Sequence, residues 1–291
     1  KRVGERVLAL VLAQGKLQNP VTGSGGMLLG RVSFVGKAAG ERFAGAIQVG
    51  GRVATLVSLT GTPLALDEIV RVDLPRHRVY VRGRAIVFTT GMLVALPADL
   101  PEGLVLGALD VAGAAPQVAR LAHEGQAVVV LGVGGKSGLI AAVAARRAVG
   151  PRGVGAGVEA QAASAQDARA LGVLDAVVVA DATDALATQK TVFAQSPARV
   201  TAQGGFDLVV SCVNVAQAES TAILLCRERG RVYFFSMATQ FARAALGAEA
   251  ISADVDLYIG NGYCRDHARH TLELLRGEPT LRELLSQRLS A

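Results

Sequence analysis

The sequence predicts an α/β protein in which a doubly wound, Rossmann-type parallel sheet follows a smaller β-rich domain. Three features indicate this architecture. After Gln126, short apolar runs alternate with helical runs; a glycine-rich turn joins the first apolar run to its helix; and residues 1–100 hold short β-type runs between Gly, Pro and Asn turns. Parallel strands need crossover connections and are buried on both faces, so they read as short continuous apolar runs.

Length and composition favour two domains. The 291 residues exceed the size at which one hydrophobic core keeps growing, so the chain is expected to divide. We place a β-rich substrate domain at 1–103, a nucleotide-binding domain at 104–262, and at 263–291 a C-terminal segment that packs back onto the first domain. With 51% hydrophobic and 19% charged residues, the composition is typical of a compact globular enzyme.

The first domain is predicted from closely spaced β runs, which are typical of a small barrel or sandwich. The predicted strands are Val7–Ala13, Met27–Phe34, Ala46–Val49, Val53–Leu59, Ile69–Asp73, Val79–Tyr80 and Ala85–Phe88. The connection Gln14–Gly26 is long for a hairpin and rich in polar side chains. Such a segment is either a functional loop or a flexible one.

The second domain is predicted to begin with a helical run, Leu104–Ala122, which Pro116 bends or divides into two helices. The predicted strands of its sheet are Ala127–Leu131, Val154–Glu159, Ala176–Ala180, Asp207–Ser211, Arg231–Phe235 and Val255–Ile259, with helical runs such as Leu139–Val149, Ala163–Leu171 and Gln217–Arg227 between them. Leucines recur at helical spacing along Arg265–Leu289, so the tail is predicted to be helical as well.

Charge, hydropathy and cysteine content exclude several classes of protein. The net charge of +6 comes from scattered basic residues, so we expect no nucleic-acid partner. Every apolar run is interrupted before the roughly 20 residues of a membrane span, so we expect no membrane partner. Cys212, Cys226 and Cys264 show neither metal-type spacing nor even pairing, which fits free thiols in the cytoplasm. Since the chain starts at Lys1 and not at Met, we also expect residues to precede it.

The turn after Leu131 is a candidate phosphate site. A buried strand that enters a helix through glycines presents backbone N–H groups and the positive helix end at one point, which suits a pyrophosphate. The candidate cofactor-binding residues of this turn are Gly132, Gly134, Gly135, Lys136 and Ser137. The Lys136 side chain either adds charge to the site or is a solvated lysine at a helix start.

Glu159, at the end of the next predicted strand, is the candidate selector of the cofactor. A carboxylate there accepts hydrogen bonds from the adenosine ribose hydroxyls and repels a 2′-phosphate, so we expect NAD in preference to NADP. The alternative is that Glu159 only caps the helix near Ala163–Leu171.

Polar residues follow the later strands of the predicted sheet. Asn214, Ser236 and Asn261 come after the fourth, fifth and sixth strands. Ligands of parallel sheets lie beyond the carboxyl ends of the strands, so these side chains suit the nicotinamide ribose and carboxamide. Cys212 is interpreted as a small wall residue, because no base is near it in the sequence to activate a nucleophile.

The order of the domains resembles the medium-chain dehydrogenase/reductase superfamily over nearly the whole chain, with a GroES-like first domain. The turn Gly132–Leu139 is a variant, since Ser137 stands at the usual third glycine of GxGxxG and Gly138 follows it. The runs Asn19–Val32 and Ala108–Ala114, together with this turn, are similar to the L-erythro-3,5-diaminohexanoate dehydrogenase family within that superfamily.

The resemblance implies an activity and an assembly. The implied reaction is NAD-linked oxidative deamination of the small-molecule diamino acid 3,5-diaminohexanoate at its 3-amino group, in lysine fermentation. Its products are 5-amino-3-oxohexanoate, ammonia and NADH. The implied assembly is a homodimer joined through the last strand, Val255–Ile259. Zinc-dependent members of the superfamily carry Cys, His and Glu ligands in the first domain, whereas this chain has no Cys before Cys212, so we expect no zinc and no other metal.

Amine oxidation without a metal needs a general base. The resemblance places Asp110 on a helix beside the nicotinamide, and Lys16 where zinc-dependent members have a cysteine ligand. These are the candidate catalytic residues; the alternatives are a surface or interdomain ion pair for Asp110 and a mobile surface lysine for Lys16. Asn19, Thr22 and Ser24 are candidate substrate-binding residues, unless turn chemistry around Asn19 and Gly23 explains them.

Two other functions remain open at this point. One is a zinc-independent NAD(P)H-dependent reductase of an enone or quinone, and the other is a nucleotide-sensing protein without catalysis. Glu159 argues against the first, because such reductases usually prefer NADP. The polar loop from Lys16 to Ser24 argues for a charged substrate.

Overall fold

The computed structural model of the chain describes residues 2–56, 58–260 and 262–290 and divides into two compact units. The first unit contains the residues up to Asp110 together with those from Ser286 onward, and the second is Val111–Leu285. The domain boundaries at 103/104 and 262/263 stay predictions.

The first unit contains short helices and two small antiparallel sheets. Its elements are α1 (Arg2–Gln14), β1 (Leu29–Arg31), α2 (Lys37–Phe43), β2 (Arg52–Thr55), a 3₁₀ turn (Leu59–Gly61), β3 (Leu64–Asp73), β4 (Arg78–Ala85), β5 (Leu93–Ala95) and α3 (Glu102–Leu109). One sheet has the order β1-β2-β5, and β3 and β4 form a separate long hairpin. Val11, Leu59 and Leu64 form its small buried core.

The predicted strand Val7–Ala13 is wrong, because this segment lies in helix α1. Gly4 and Val11, seven residues apart, are its buried residues and share one face of the helix. A Cβ at Gly4 would lie 2.9 Å from Cγ2 of Ile69 on β3, so the helix packs closely on the hairpin. The apolar run therefore follows the period of a helix and not that of a strand.

Other predicted strands of the first unit also differ from the structure. Ala46–Val49 is a turn region, in which the Ala46 N–H donates to the Phe43 carbonyl. The predicted strand Ile69–Asp73 is the second half of the longer strand β3, and Val79–Tyr80 lies near the start of the longer strand β4. Arginines and an acidic pair interrupt the apolar pattern of this hairpin, which shortened the prediction.

The second unit is built on a six-stranded parallel sheet. Its elements are α4 (Ala114–Leu121), β6 (Ala127–Leu131), α5 (Lys136–Val149), β7 (Val154–Glu159), α6 (Ala162–Ala170), β8 (Ala176–Val179), α7 (Ala185–Gln195), α8 (Ala198–Ala202), β9 (Phe206–Ser211), α9 (Glu219–Leu225), β10 (Cys226–Phe234), α10 (Phe241–Ala250), β11 (Asp256–Ile259), α11 (His267–Gly277) and α12 (Pro279–Ser290), of which the residues from Ser286 onward belong to the first unit. The strand order is β11-β10-β9-β6-β7-β8, and each neighbouring pair is parallel. The predicted doubly wound sheet is confirmed.

The helical run Leu104–Ala122 forms two helices, as one of the two predicted arrangements required. The break lies at Asp110–Gly113, and Pro116 sits in the first turn of α4, where a proline is tolerated. A Cβ at Gly113 would lie 2.4 Å from the Gly262 carbonyl oxygen, so a close backbone approach requires this glycine.

Among the described residues, no single helix has the length and hydropathy to cross a membrane. The helices α3 and α4 reach that threshold only when they are counted together across the break between them.

Charged side chains tie the strands together at their amino ends. Asp207, at the start of β9, accepts hydrogen bonds from the Ala127 N–H of β6 at 2.8 Å and from Nε of Arg227 on β10 at 2.7 Å. Burial by itself raises the pKa of Asp207, but these two donors outweigh it and hold the pKa below its ordinary value. One carboxylate thus fixes three neighbouring strands.

Replacing Asp207 with Asn is expected to lower the free energy of unfolding near neutral pH by about 1–3 kcal/mol, because a charged hydrogen-bonding partner is lost. A depressed folded-state pKa contributes stability above the unfolded-state pKa, and this stability is lost as the pH falls through the folded-state value. In urea unfolding, the difference in free energy of unfolding between the unaltered protein and Asp207→Asn should therefore shrink as the pH falls from about 5 to about 2. Glu124→Gln, which breaks an exposed ion pair with Arg152, is the control. A difference that does not change with pH would contradict this account.

Candidate functional site

The glycine turn joins β6 to α5 at the carboxyl edge of the sheet. All five residues of β6 are buried, and the chain leaves the strand at Gly132 with φ +70°, in the left-handed region. A Cβ at Gly132 would lie 3.2 Å from the backbone of Cys212, so both conformation and space favour glycine. The Gly132 N–H donates to the Val158 carbonyl at 2.8 Å, which holds the turn against β7.

Two further glycines allow the close packing of this turn. A Cβ at Gly134 would lie 2.6 Å from Cβ of Ser164 and 2.8 Å from Oε2 of Glu159. A Cβ at Gly138, inside α5, would lie only 2.2 Å from the Gly132 carbonyl oxygen. Gly138 therefore takes the role of the third glycine, which lets the helix approach the strand. It was not among the candidate site residues, although a glycine in the first turn of an Ala-rich helix was a usable signal.

Glu159 lies beside the glycine turn. Its Oε2 accepts a hydrogen bond from the Gly134 N–H at 3.0 Å, and its Oε1 accepts one from the Gln161 N–H at 3.2 Å. The carboxylate thus connects the turn to the start of α6, whose N-cap residue, Gln161, makes no side-chain capping bond. This position combines the two interpretations of Glu159, because the carboxylate lies at the turn and also orders the entry to α6.

Lys136 and Ser137 are the first two residues of α5. The first N–H groups of a helix have no partner within the helix and lie at its positive end, which is the arrangement that binds phosphate. The Ser137 side chain hydrogen-bonds Cys212, and this bond only partly offsets burial, which raises the pKa of the Cys212 thiol to about 12. Cys212 is therefore protonated at neutral pH, in agreement with its interpretation as a wall residue.

The other cofactor candidates lie beyond the strands on the opposite side of the switch point between β6 and β9. Asn214 is exposed in the segment after β9. Ser236 is half-buried after β10, where its Oγ accepts a hydrogen bond from the Ala238 N–H at 3.1 Å. Asn261 lies outside the described residues. The five turn residues and Glu159 are brought together, whereas Asn214 and Ser236 follow neighbouring strands of the other half of the sheet.

The candidate substrate residues lie in one loop of the first unit. Oδ1 of Asn19 accepts a hydrogen bond from the Val21 N–H at 2.9 Å, Oγ1 of Thr22 accepts one from the Ser24 N–H at 3.3 Å, and Oγ of Ser24 accepts one from the Gly26 N–H at 3.3 Å. These bonds are the turn chemistry that was considered as the alternative. The loop is anchored at Gly25, whose N–H donates to Oγ of Ser58 at 2.7 Å. The substrate-binding roles stay predictions.

The two candidate catalytic residues lie on different elements of the first unit. Lys16 is half-buried in the same loop, just after α1, and Asp110 is exposed at the C-terminal end of α3. The Asp110 N–H donates to the Leu106 carbonyl at 3.0 Å. Asp110 is therefore at a helix end and not within a helix, and both catalytic roles stay predictions.

In the part of the chain that the structure describes, no three His, Cys, Asp or Glu side chains form a group able to hold a metal ion. The predicted absence of zinc stays a prediction. His267 is 1% exposed, its ring meets that of Tyr263 edge-on at 5.2 Å, and burial lowers its pKa. The burial of the ring and its contact with Tyr263 indicate a structural role for His267.

Gly138→Ala is expected to reduce the free energy of unfolding by about 1–3 kcal/mol, because the added Cβ overlaps the Gly132 carbonyl. In an unobstructed helix the same change would stabilise by up to about 1 kcal/mol. Gly247→Ala in α10 is the matched control, since its Cβ would meet only Cδ1 of Ile223 at 3.4 Å and Oγ of Ser220 at 3.8 Å. The free energy of unfolding of both variants would be measured by heat and by urea. Equal stability of Gly138→Ala and Gly247→Ala would contradict the close approach of Gly138 to the Gly132 carbonyl.

Solved structures share this fold, two alcohol dehydrogenases among them. A mycobacterial protein complexed with NADPH is 17% identical with a TM-score of 0.59, over 91% of this chain and 72% of that one. Alcohol dehydrogenase from Thermus sp. ATN1 is 20% identical with a TM-score of 0.54, over 96% and 78%. Alcohol dehydrogenase from Aeropyrum pernix is 16% identical with a TM-score of 0.56, over 89% and 77%. At such identities the likeness concerns the fold alone, and it agrees with the six-stranded parallel sheet described above.

Sequence relatives are more specific. The family model described as the L-erythro-3,5-diaminohexanoate dehydrogenase N-terminal domain matches residues 1–97. The L-erythro-3,5-diaminohexanoate dehydrogenase of Acetoanaerobium sticklandii is 42% identical over 97% of this chain and 80% of its own length. That of Fusobacterium nucleatum subsp. nucleatum is 42% identical over 99% of this chain and 81% of its own length. This identity over nearly the whole sequence shows that the chain belongs to the L-erythro-3,5-diaminohexanoate dehydrogenase family.

Proposed function

We propose that this protein is an NAD-dependent amine dehydrogenase that oxidatively deaminates L-erythro-3,5-diaminohexanoate at its 3-amino carbon. The products are 5-amino-3-oxohexanoate and ammonia, and the reaction is a step of lysine fermentation. One observation carries the proposal, namely the 42% identity to two dehydrogenases of that name over 97% and 99% of this chain.

The residues of the second unit fit a nicotinamide dinucleotide. Family membership and the glycine turn support such a cofactor, with Gly132, Gly134, Gly135 and the start of α5 holding its pyrophosphate. When bound, the cofactor accepts a hydride from the substrate carbon that bears the amino group. Glu159 supports NAD over NADP, because a carboxylate beside the turn would repel a 2′-phosphate.

The first unit supplies the polar groups for the diamino acid. The side-chain oxygens of Asn19, Thr22 and Ser24 each accept one backbone N–H group, and their amide and hydroxyl hydrogens can donate to a ligand. Donors suit the carboxylate of the substrate better than its ammonium groups. In this proposal Lys16 and Asp110 perform the acid–base work: one takes the proton that the substrate ammonium must lose, and the other activates the water that releases ammonia.

The assembly and surroundings of the enzyme are part of the same proposal. β11 is the edge strand of the six-stranded sheet, and its residues Tyr258 and Ile259 are exposed. An uncovered edge strand with apolar side chains supports pairing with a second copy of the chain, as the proposed homodimer requires. We place this homodimer in the cytoplasm, with a small-molecule substrate and no nucleic-acid or membrane partner.

Incubation of the purified protein with NAD and L-erythro-3,5-diaminohexanoate should produce the absorbance of NADH, and NADP should be a poorer oxidant. Glu159→Ala should narrow the preference for NAD, because the repulsion of the 2′-phosphate is removed. Equal use of the two cofactors by the unaltered protein, together with no effect of Glu159→Ala, would contradict the selector role. If the protein oxidised NADH or NADPH with an enone or quinone and did not reduce NAD with the diamino acid, it would be a reductase. If it bound the cofactor without turning over any of these substrates, it would be a sensor.

Lys16→Ala and Asp110→Asn should each lower turnover at least about 100-fold while leaving NAD affinity nearly intact, since a lost acid–base group costs about this much. Steady-state kinetics, with NAD affinity measured separately, would separate the two effects. Glu68→Gln, which breaks an exposed ion pair with Arg82 in the same unit, is the control. Near-normal turnover of both variants would remove Lys16 and Asp110 from the mechanism.

A further inference from the structure

Glu219 is a buried carboxylate that none of the roles described so far uses. It lies in the first turn of α9 and is 3% exposed. Its Oε1 accepts a hydrogen bond from the Gln240 N–H at 2.8 Å, at the entry to α10. One carboxylate therefore joins the segment 212–218, which follows β9, to the segment 235–240, which follows β10. These two segments carry the cofactor candidates Asn214 and Ser236.

The second carboxylate oxygen of Glu219 is buried and has no hydrogen-bond partner among the described residues. A buried polar atom without a partner costs free energy, and more so when it carries charge. Native proteins pair nearly all such atoms, so an unpaired carboxylate oxygen is a position where a donor from a ligand is expected.

The surroundings of Glu219 hold it in place. Thr221, two residues along, is fully buried and donates its hydroxyl to the Ala182 carbonyl at 2.6 Å, which fixes the first turn of α9. Gln217, two residues before, has φ +79°, a backbone conformation that non-glycine residues rarely adopt. Such strained residues concentrate at ligand-binding sites. The carboxylate is thus presented from a fixed helix beside a strained loop.

The position in the sheet indicates which ligand supplies the donor. In a doubly wound sheet a dinucleotide crosses the switch point, with one mononucleotide over each half. The glycine turn and Glu159 belong to the β6-β7-β8 half, which leaves the nicotinamide side for the β9-β10-β11 half. We propose that Oε2 of Glu219 accepts a hydrogen bond from the nicotinamide nucleoside, through a ribose hydroxyl or the carboxamide N–H. This inference rests on the proposed use of a nicotinamide cofactor.

Since Oε2 is covered, a ligand reaches it only when one of the two loops shifts. Both loops carry exposed residues, among them Asn214 and Met237, the latter 89% exposed. The bond between Glu219 and Gln240 connects the start of α9 to the entry of α10, so a shift that uncovers Oε2 would involve both loops.

Glu219→Gln separates the binding role from the structural one. The amide keeps an oxygen for the Gln240 N–H but replaces the second carboxylate oxygen with an NH₂ group, which cannot accept a hydrogen bond. Dissociation constants of NADH, ADP-ribose and AMP would be measured for the unaltered protein, for Glu219→Gln and for the surface control Glu124→Gln, with thermal unfolding of each. ADP-ribose retains the second ribose without nicotinamide, and AMP lacks both.

We expect Glu219→Gln to bind NADH at least about ten-fold more weakly than the unaltered protein does, which is the usual scale for a lost hydrogen bond to a charged group. The dissociation constant of AMP should stay within about two-fold of that of the unaltered protein, because AMP lacks the nicotinamide nucleoside. If ADP-ribose binding is weakened as much as NADH binding, the donor is a ribose hydroxyl. If ADP-ribose binding is unchanged, the donor is the carboxamide N–H. Unchanged NADH binding, or equal weakening of all three ligands, would overturn the inference. If the unaltered protein bound neither NADH nor NADPH, the proposed function itself would fail, which is a distinct result.

Discussion

The nucleotide-binding half of this protein depends on how closely α5 approaches the turn that precedes it. The absent Cβ of Gly138 leaves room for the Gly132 carbonyl, which a side chain there would meet at 2.2 Å. The same approach places the Gly134 N–H against the Glu159 carboxylate. It extends to β7, where a Cβ at Gly157 would lie 2.7 Å from Cγ1 of Val133. These close approaches therefore constrain residue types in the turn, in α5 and on β7, and give the turn the shape that suits a pyrophosphate.

The amino ends and the carboxyl ends of the strands carry different kinds of side chain. At the amino ends, charged side chains pin the strands: Asp207 joins β6, β9 and β10, and Asp175 accepts the Gly155 N–H of β7 while pairing with Arg146. At the carboxyl ends, the segments after β9 and β10 carry small and amide side chains. Glu219, at the start of α9, accepts a hydrogen bond from the Gln240 N–H in the second of these segments. The charge pairs thus lie at the amino ends of the strands, and the candidate cofactor residues lie at their carboxyl ends.

Prediction from sequence succeeded where a short apolar run is compatible with only one structure, a strand buried on both faces. The strands Ala127–Leu131 and Val154–Glu159 have the predicted bounds, because short, largely apolar runs next to a glycine are typical of parallel strands buried on both faces. It failed at Val7–Ala13, where an apolar run fits strand and helix equally and the packing of Gly4 on Ile69 favours the helix. In the candidate site, the structure places Glu159 beside the glycine turn, as its position at the end of the next predicted strand indicated, and its selector role stays a prediction. Gly138 and Glu219 were not among the candidates, because no linear pattern shows the 2.2 Å approach at Gly138 or the unpaired buried oxygen of Glu219.

The central claim, that this chain removes an amino group by oxidising the carbon that bears it, is tested most directly by stoichiometry. In one reaction with NAD and L-erythro-3,5-diaminohexanoate, the NADH formed and the ammonia released would both be measured. The account predicts one ammonia for each NADH, with 5-amino-3-oxohexanoate as the product. NADH without ammonia, or no NADH from a protein that binds the cofactor normally, would contradict it.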